Sequence, residues 1–222
     1  MHVSDAVQRR KSVRAFQPRL VDVDEVLRLL ALAARTPSGG NLQPWHIHLI
    51  GGDSLRRFKL LMSKQVTKNP RGEGTEFSVY PPDLASPYRE RVFGIGEQLY
   101  ASIGIARDDK SGRRRQFDRN FQFFDAPLGL FCFVNRSVGL PQWADLGMFL
   151  QTLMLLLTEA GLGCCAQESW ARYHHTVSSF LGSPPEQMLF CGMAIGYADE
   201  TAAINHWRSP RIAAEDFVAL HQ

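Results

Sequence analysis

The chain has 222 residues, 45% of them hydrophobic and 21% charged, a balance that can bury a core in one large or two small domains and excludes a disordered chain. With 25 basic and 22 acidic side chains the formal charge is +3, too near balance to argue for a nucleic-acid partner. The most apolar run, 146–157, is interrupted by Gln151 and Thr152 and falls short of the about 20 apolar residues of a membrane span, so it is read as a core helix.

At the N-terminus, residues 1–10 lack the apolar run of a secretory signal, and a soluble, cytoplasmic protein with no membrane partner is the expectation. Residues 3–10 fit a short helix that Ser4 or Asp5 would cap. Val23, Val26, Leu27, Leu29, Leu30 and Ala33 place an apolar stripe on a helix over 22–35, with Asp22 or Asp24 at its start. The run Pro37-Ser38-Gly39-Gly40-Asn41 then breaks the chain into a loop. Alternation over 45–50, closed by Gly51-Gly52, predicts a strand, and Asp53 opens a helix reaching Val66.

Residues 67–87 hold Pro70, Pro81, Pro82 and Pro87 and read as a long loop or mobile insertion, a type that is functional or disordered. A helix resumes over 88–106, and the strongly charged stretch 107–119 follows, so that 67–119 forms a variable insertion or lid. Residues 126–134 are a continuous apolar strand, suited to burial on both faces of a sheet. A long core helix over 142–160 stops at Gly161-Leu162-Gly163. A helix over 171–181, a buried strand over 188–197 and a short helical end over 213–220 complete the chain. No repeat or linker divides it, and the expected fold is one α+β domain over 1–222. Cys132, Cys164, Cys165 and Cys191 lie in apolar stretches without a CxxC pair or a histidine cluster. They read as buried, reduced thiols, and no metal site is expected.

Three groups of residues could carry chemistry. Arg9, Arg10, Lys11, Ser12 and Arg14 follow the first helix, and guanidinium forks with a hydroxyl suit a phosphate. By themselves they fit a solvated basic helix end, the commoner role of such a run. The loop from Pro37 to Trp45 offers two glycines for close backbone approach to a planar ligand, and Ser38, Asn41 and Gln43 for hydrogen bonds to a heteroaromatic edge. An ordinary helix-to-strand connection has the same composition. Arg208 and Arg211, after a buried strand, could join the N-terminal cations around one phosphate or lie on a surface loop.

Read in order, several blocks resemble the FMN-dependent nitroreductase family, nearest its nitrobenzoate-reductase-like branch. They are Arg10-Lys11-Ser12-Val13-Arg14, Pro37-Ser38-Gly39-Gly40-Asn41-Leu42-Gln43-Pro44-Trp45-His46 and Asn120-Phe121-Gln122-Phe123-Phe124-Asp125-Ala126-Pro127. They continue with Trp143-Ala144-Asp145-Leu146-Gly147, Gly161-Leu162-Gly163 with Gln167, Gly192-Met193-Ala194-Ile195-Gly196-Tyr197, and Arg208 with Arg211.

The resemblance implies a nitroreductase-like α+β fold: a central mixed or antiparallel sheet flanked by helices, in an intertwined homodimer with FMN at the subunit interface. It implies that Arg10, Lys11 and Ser12 hold the ribityl phosphate and that Arg208 and Arg211 close on it. Arg14 would face the pyrimidine edge of the ring. Pro37, Ser38, Gly39, Asn41 and Gln43 would reach the FMN of the other subunit. Ala166, Gln167 and Glu168 would run beside the isoalloxazine ring and offer backbone donors near N5. Two departures stand out: Cys164-Cys165 where many relatives carry Thr or Ser, and Glu168-Ser169 where they carry small, non-ionisable side chains.

The implied activity passes hydride from NADH or NADPH through the flavin to a nitroaromatic or quinone-like acceptor by a ping-pong scheme, with no side-chain nucleophile. Phe123 and Phe124 would stack on that acceptor or belong to the core, and Trp170 fits the core better. Reductive dehalogenation or flavin modification on the same fold, or flavin binding without turnover, are the alternative readings.

Overall fold

The computed structural model describes residues 1–222. Its elements begin with α1 (Val3–Arg9), α2 (Val23–Ala33), β1 (His46–Gly51), α3 (Gly52–Lys68), α4 (Tyr88–Ala101) and α5 (Lys110–Asp118). They continue with β2 (Leu128–Asn135), α6 (Leu140–Glu159), β3 (Gly163–Gln167), α7 (His174–Leu181), β4 (Gln187–Gly196) and α8 (Ala203–His206). The four strands form one sheet in the order β1-β2-β4-β3, every neighbouring pair antiparallel. This is the expected nitroreductase-like arrangement, in its antiparallel form. No helix is long and apolar enough to cross a membrane.

The unalternating apolar run of β2 is explained by its two covered faces. Successive side chains leave a strand on opposite sides, so Leu128, Leu130, Cys132 and Val134 meet one core while Phe131 and Phe133 meet the other. The first core is closed by α2 and α6 through Val26, Leu29, Ala33, Leu146, Phe149, Leu153 and Leu157. The second is closed by Phe58 and Met62 of α3 and by two 3-10 turns, Arg119–Asp125 and Glu168–Tyr173. Trp170 from the second turn is fully buried and lies where a side chain on Gly192 of β4 would stand, so that position has to be glycine.

Four parts of the chain depart from the expectations. β3 was not expected as a strand; five residues with no alternation take that form because β4 pairs with them on one side and the N-terminal segment on the other. α5 arises inside the charged stretch: the Asp109 carboxylate accepts from Gly112 N at 2.8 Å, and Arg113 pairs with Glu97 of α4. The helix expected over 171–181 starts at His174, since residues 168–173 form the 3-10 turn under the sheet. The tail contains a single 3-10 turn, Ala214–Asp216, in place of a longer helix.

The loop after α3 is fastened to the body. Glu73 N donates to Arg172 O at 2.7 Å, and the Glu73 carboxylate accepts from Gln65 Nε2 at 2.6 Å and from the backbone and hydroxyl of Thr176. Glu76 pairs with Arg136 and with His174. These contacts set the wall described next.

Candidate active site

The basic segment is positioned by the sheet edge and by the C-terminal part of the chain. After α1, Val13 N donates to Cys164 O at 2.9 Å, laying residues 12–13 along the outer edge of β3. Asn205, 1% exposed, then clamps the segment from the far end of the sequence. Its Oδ1 accepts from Arg14 N at 2.8 Å, and its Nδ2 donates to Ala15 O at 2.8 Å and Asp199 O at 2.9 Å. Arg208 completes the join by donating to the carbonyls of Gln8, Arg9 (2.9 Å) and Arg10. These are carbonyls that the end of a helix leaves without partners.

The join creates a cavity of about 430 Å³ lined by Arg10, Lys11, Ser12, Arg14, Arg208 and Arg211, with no carboxylate among its lining residues. Lys11 is balanced from outside by Glu200 at 3.0 Å. Arg211 is steadied by Ser209, whose Oγ accepts from its Nη1 at 2.6 Å. Six residues of the resemblance thus share one anion-attracting hollow, although four lie near one terminus and two near the other.

Arg14 also lines a neighbouring cavity of about 600 Å³. One wall is the end of β3 and the turn after it: Cys165, Ala166, Gln167, Glu168 and Ser169. β3 is an edge strand, and Cys164 turns its carbonyl outward to Val13. Two residues on, Ala166 repeats that orientation and turns its backbone polar groups to the cavity. The Ser169 hydroxyl at the same wall is buried without a partner. The opposite wall is Thr75, Ser78, Val79 and Tyr80 of the fastened loop, with Phe117, Asn120 and Arg172.

The side chains divide into structural and available ones. Gln167, 3% exposed, spends its side chain inside: Nε2 donates to Asn120 O at 2.8 Å, and Oε1 accepts from Trp170 Nε1 at 3.2 Å. Its side chain therefore serves the fold and not a ligand. Glu168 opens into the cavity but is crowded by protein, and burial raises its carboxyl above the ordinary range. Burial also raises the Tyr80 phenol, and the Glu168 charge adds to the effect. Burial pushes the Cys132 and Cys164 thiols up to about 12 and raises Cys165 and Cys191, so none is a nucleophile at neutral pH.

Phe123 and Phe124 are 0% and 2% exposed and line neither cavity. Phe123 packs on Phe58, Phe131 and Trp170, so the core reading replaces acceptor stacking. The aromatic rings at the cavity are Phe117 and Tyr80, which lay in the segment read as insertion. Pro37, Ser38, Gly39, Asn41 and Gln43 also line neither cavity. Their loop is folded on itself, with Gln43 N donating to Ser38 Oγ at 3.0 Å, and is moored by Gly39 N to the buried Asp145 carboxylate at 3.2 Å.

Residues 7–197 match the model of the Nitroreductase family. The chain belongs to that family. It is similar to the 4-nitrobenzoate reductase of Pseudomonas putida, 37% identical over 211 residues, which are 95% of this chain and 92% of that protein. It is also similar to the chloronitrobenzene nitroreductase of Comamonas testosteroni, 33% identical over 98% of this chain and 96% of that one. Among solved structures, the FMN and NADPH-dependent nitroreductase NfnB of Sphigopyxis sp. strain HMH superposes with a TM-score of 0.96 at 45% identity, over 100% of both chains. The FMN-dependent nitroreductase NfnB of Mycobacterium smegmatis in complex with NADPH gives 0.92 at 29% identity, again over 100% of both.

The residues that sequence reasoning missed are Asn205, Arg172, Phe117 and the stretch 75–80. The proline-rich character of 67–87 was a signal for the last of these; the others carry none in a single sequence.

Proposed function

We propose that this chain, as one domain over 1–222, binds FMN and acts as an FMN-dependent nitroreductase, transferring hydride from NAD(P)H to a nitroaromatic or quinone-like acceptor. The observation that carries the reading is Arg14, the residue shared by a hollow lined by five cations and no carboxylate and by a larger cavity edged by an open strand. A phosphate joined to a planar heteroaromatic ring requires that pair of environments side by side. Both volumes lie in the range of small-molecule sites. The unpartnered Ser169 hydroxyl and the free edge at Ala166 fit a ring with hydrogen-bonding groups.

Bound FMN would supply the two-electron redox chemistry that no side chain here can perform. Arg10, Lys11, Ser12, Arg208 and Arg211 hold the phosphate by charge-assisted hydrogen bonds. A fixed cation at Arg14 favours negative charge on the ring beside it and so raises the cofactor's reduction potential. Ala166 offers its backbone N–H to the ring edge, while Glu168 keeps an exchangeable proton on its carboxyl over more of the pH scale than an exposed glutamate would.

The active form in this reading is a homodimer in which the loop 37–43 serves the partner's cavity. That loop lies away from its own chain's cavities. α4 buries none of its residues, and Tyr88, Phe93, Phe217, Val218 and Leu220 are exposed apolar groups that a second copy would cover. Four buried free thiols suit a reducing, cytoplasmic setting.

The test is a spectrum and a titration. Purified protein should show flavin absorbance that bleaches on anaerobic addition of NADPH or NADH and returns with a nitrobenzoate. Flavin that neither nicotinamide bleaches would leave a carrier or sensor instead of an enzyme.

A further inference from the structure

Beyond Arg172, the wall of the larger cavity opens into a shallower one of about 360 Å³, which shares Thr75 and Arg172 with it. Its other lining residues are Pro70, Arg71, Gly74 and Arg114. Half of the lining is arginine, and none of it is acidic.

The arginines stand on a braced frame. Arg114 donates from Nη1 to Pro70 O at 2.6 Å and from Nε to Asp118 at 2.8 Å, while its Nη2 is buried without a partner. The Arg172 guanidinium lies over the Phe117 ring, 5.1 Å from its centroid. Gly72, at φ +90°, presses on the Arg172 backbone so closely that a Cβ there would stand 2.6 Å from the carbonyl oxygen. Tyr173 Oη fastens the start of the loop by donating to Asn69 O at 2.7 Å, and Glu73 fastens its middle. A frame held this firmly loses little freedom when an anion binds.

We infer that Arg71 and Arg172, on the frame that Arg114 braces, bind the 2′-phosphate of NADPH and make the chain selective for NADPH over NADH. The inference rests on the flavin-enzyme reading above. The cationic hollow beside Arg14 is assigned there to the cofactor's own phosphate, so this cluster answers to a second anion. A single-ring acceptor fits within the 600 Å³ cavity and has no need of an annex. A dinucleotide lying across that cavity does extend beyond it. Guanidinium forks match a phosphate's oxygens in pairs, and the 2′-phosphate is the one chemical difference between the two nicotinamides.

Calorimetric titration of the flavin-loaded protein with NADP⁺ and NAD⁺ tests this without turnover. Wild type should prefer NADP⁺ by about tenfold or more. Arg71→Ala with Arg172→Ala should weaken NADP⁺ by about 10- to 100-fold and NAD⁺ by less than about twofold. Arg71→Ala alone, at an exposed position, should shift the same ratio by about tenfold with the fold intact. Equal wild-type affinities, or parallel loss of both nucleotides, would overturn the inference. So would an unchanged nucleotide ratio with weakened 4-nitrobenzoate binding, which would assign the arginines to the acceptor's carboxylate. Protein that carries no flavin, or binds neither nucleotide, would sink the enzyme reading and this inference together; the other adverse outcomes leave that reading standing.

Discussion

The two cavities that meet at Arg14 are built on different principles. The smaller is defined by charge: its five cations come from the two ends of the chain, joined through backbone carbonyls and one buried amide. The larger is defined by shape: an edge strand faces a loop that salt bridges and hydrogen bonds fasten in place. A charge-built site fails when single side chains are removed. A shape-built one fails when its supports are.

The largest effect expected from that contrast is at the charge-built site. Arg10→Ala together with Arg208→Ala removes charge-assisted bonds worth about 1.5–3 kcal/mol each and should yield protein without FMN, read from its absorbance. Full flavin occupancy in that variant would move the phosphate elsewhere. Next comes Asn205→Ala, which leaves Arg14 N and Ala15 O without their partner. A loss of about 2 kcal/mol should lower Tm by about 4–8 °C, with weakened FMN binding in parallel. An unchanged melting curve would show that the two chain ends join without the amide.

Glu73→Ala probes the other cavity. The fold and the flavin should be retained while the loop 69–80 loosens, raising KM for the acceptor by about 5- to 30-fold, which corresponds to about 1–2 kcal/mol. Loss of flavin instead would make the two cavities one mechanical unit. The smallest effect is at Glu168. Its carboxyl is raised by burial, so the native state favours the protonated form, and the stability this carries is present at low pH and lost as pH rises through the raised value. Glu168→Gln should therefore be slightly more stable than wild type at pH 8, with the gap closing as the pH falls towards the ordinary carboxylate range. A gap that stays constant with pH would mean that the carboxyl is not desolvated.

How far the sequence revealed each cavity follows from the same contrast. Charge is written locally, so Arg10, Lys11, Ser12, Arg208 and Arg211 could be picked out as an anion set before their meeting was visible. The apolar runs of β2 and β4 were equally legible, because burial on two faces leaves no polar residue in mid-strand, and α6 was legible from its length and apolar content. Shape is written at a distance. β3 becomes a strand only through β4 and residues 12–13, and α5 has no apolar stripe and is made by a cap and an ion pair to α4. Phe123 looked available to an acceptor, yet its ring occupies the space over Gly129, where a Cβ would lie 2.6 Å from it. Gly129 follows closely in the sequence, but only the turn between them, with Phe123 and Phe124 at positive φ, brings the ring back over it.

The clamp at Asn205 also bears on how the protein is made. Arg14 leaves the ribosome well before the amide that fixes it, which follows 191 positions later. Arg208 must bridge a still longer interval, 199 positions, to reach Arg9. Contacts of such separation form late, after the sheet and its local helices. The phosphate hollow is therefore completed only after Asn205 and Arg208 have emerged, and a nascent chain that stops short of them has no place to keep its cofactor.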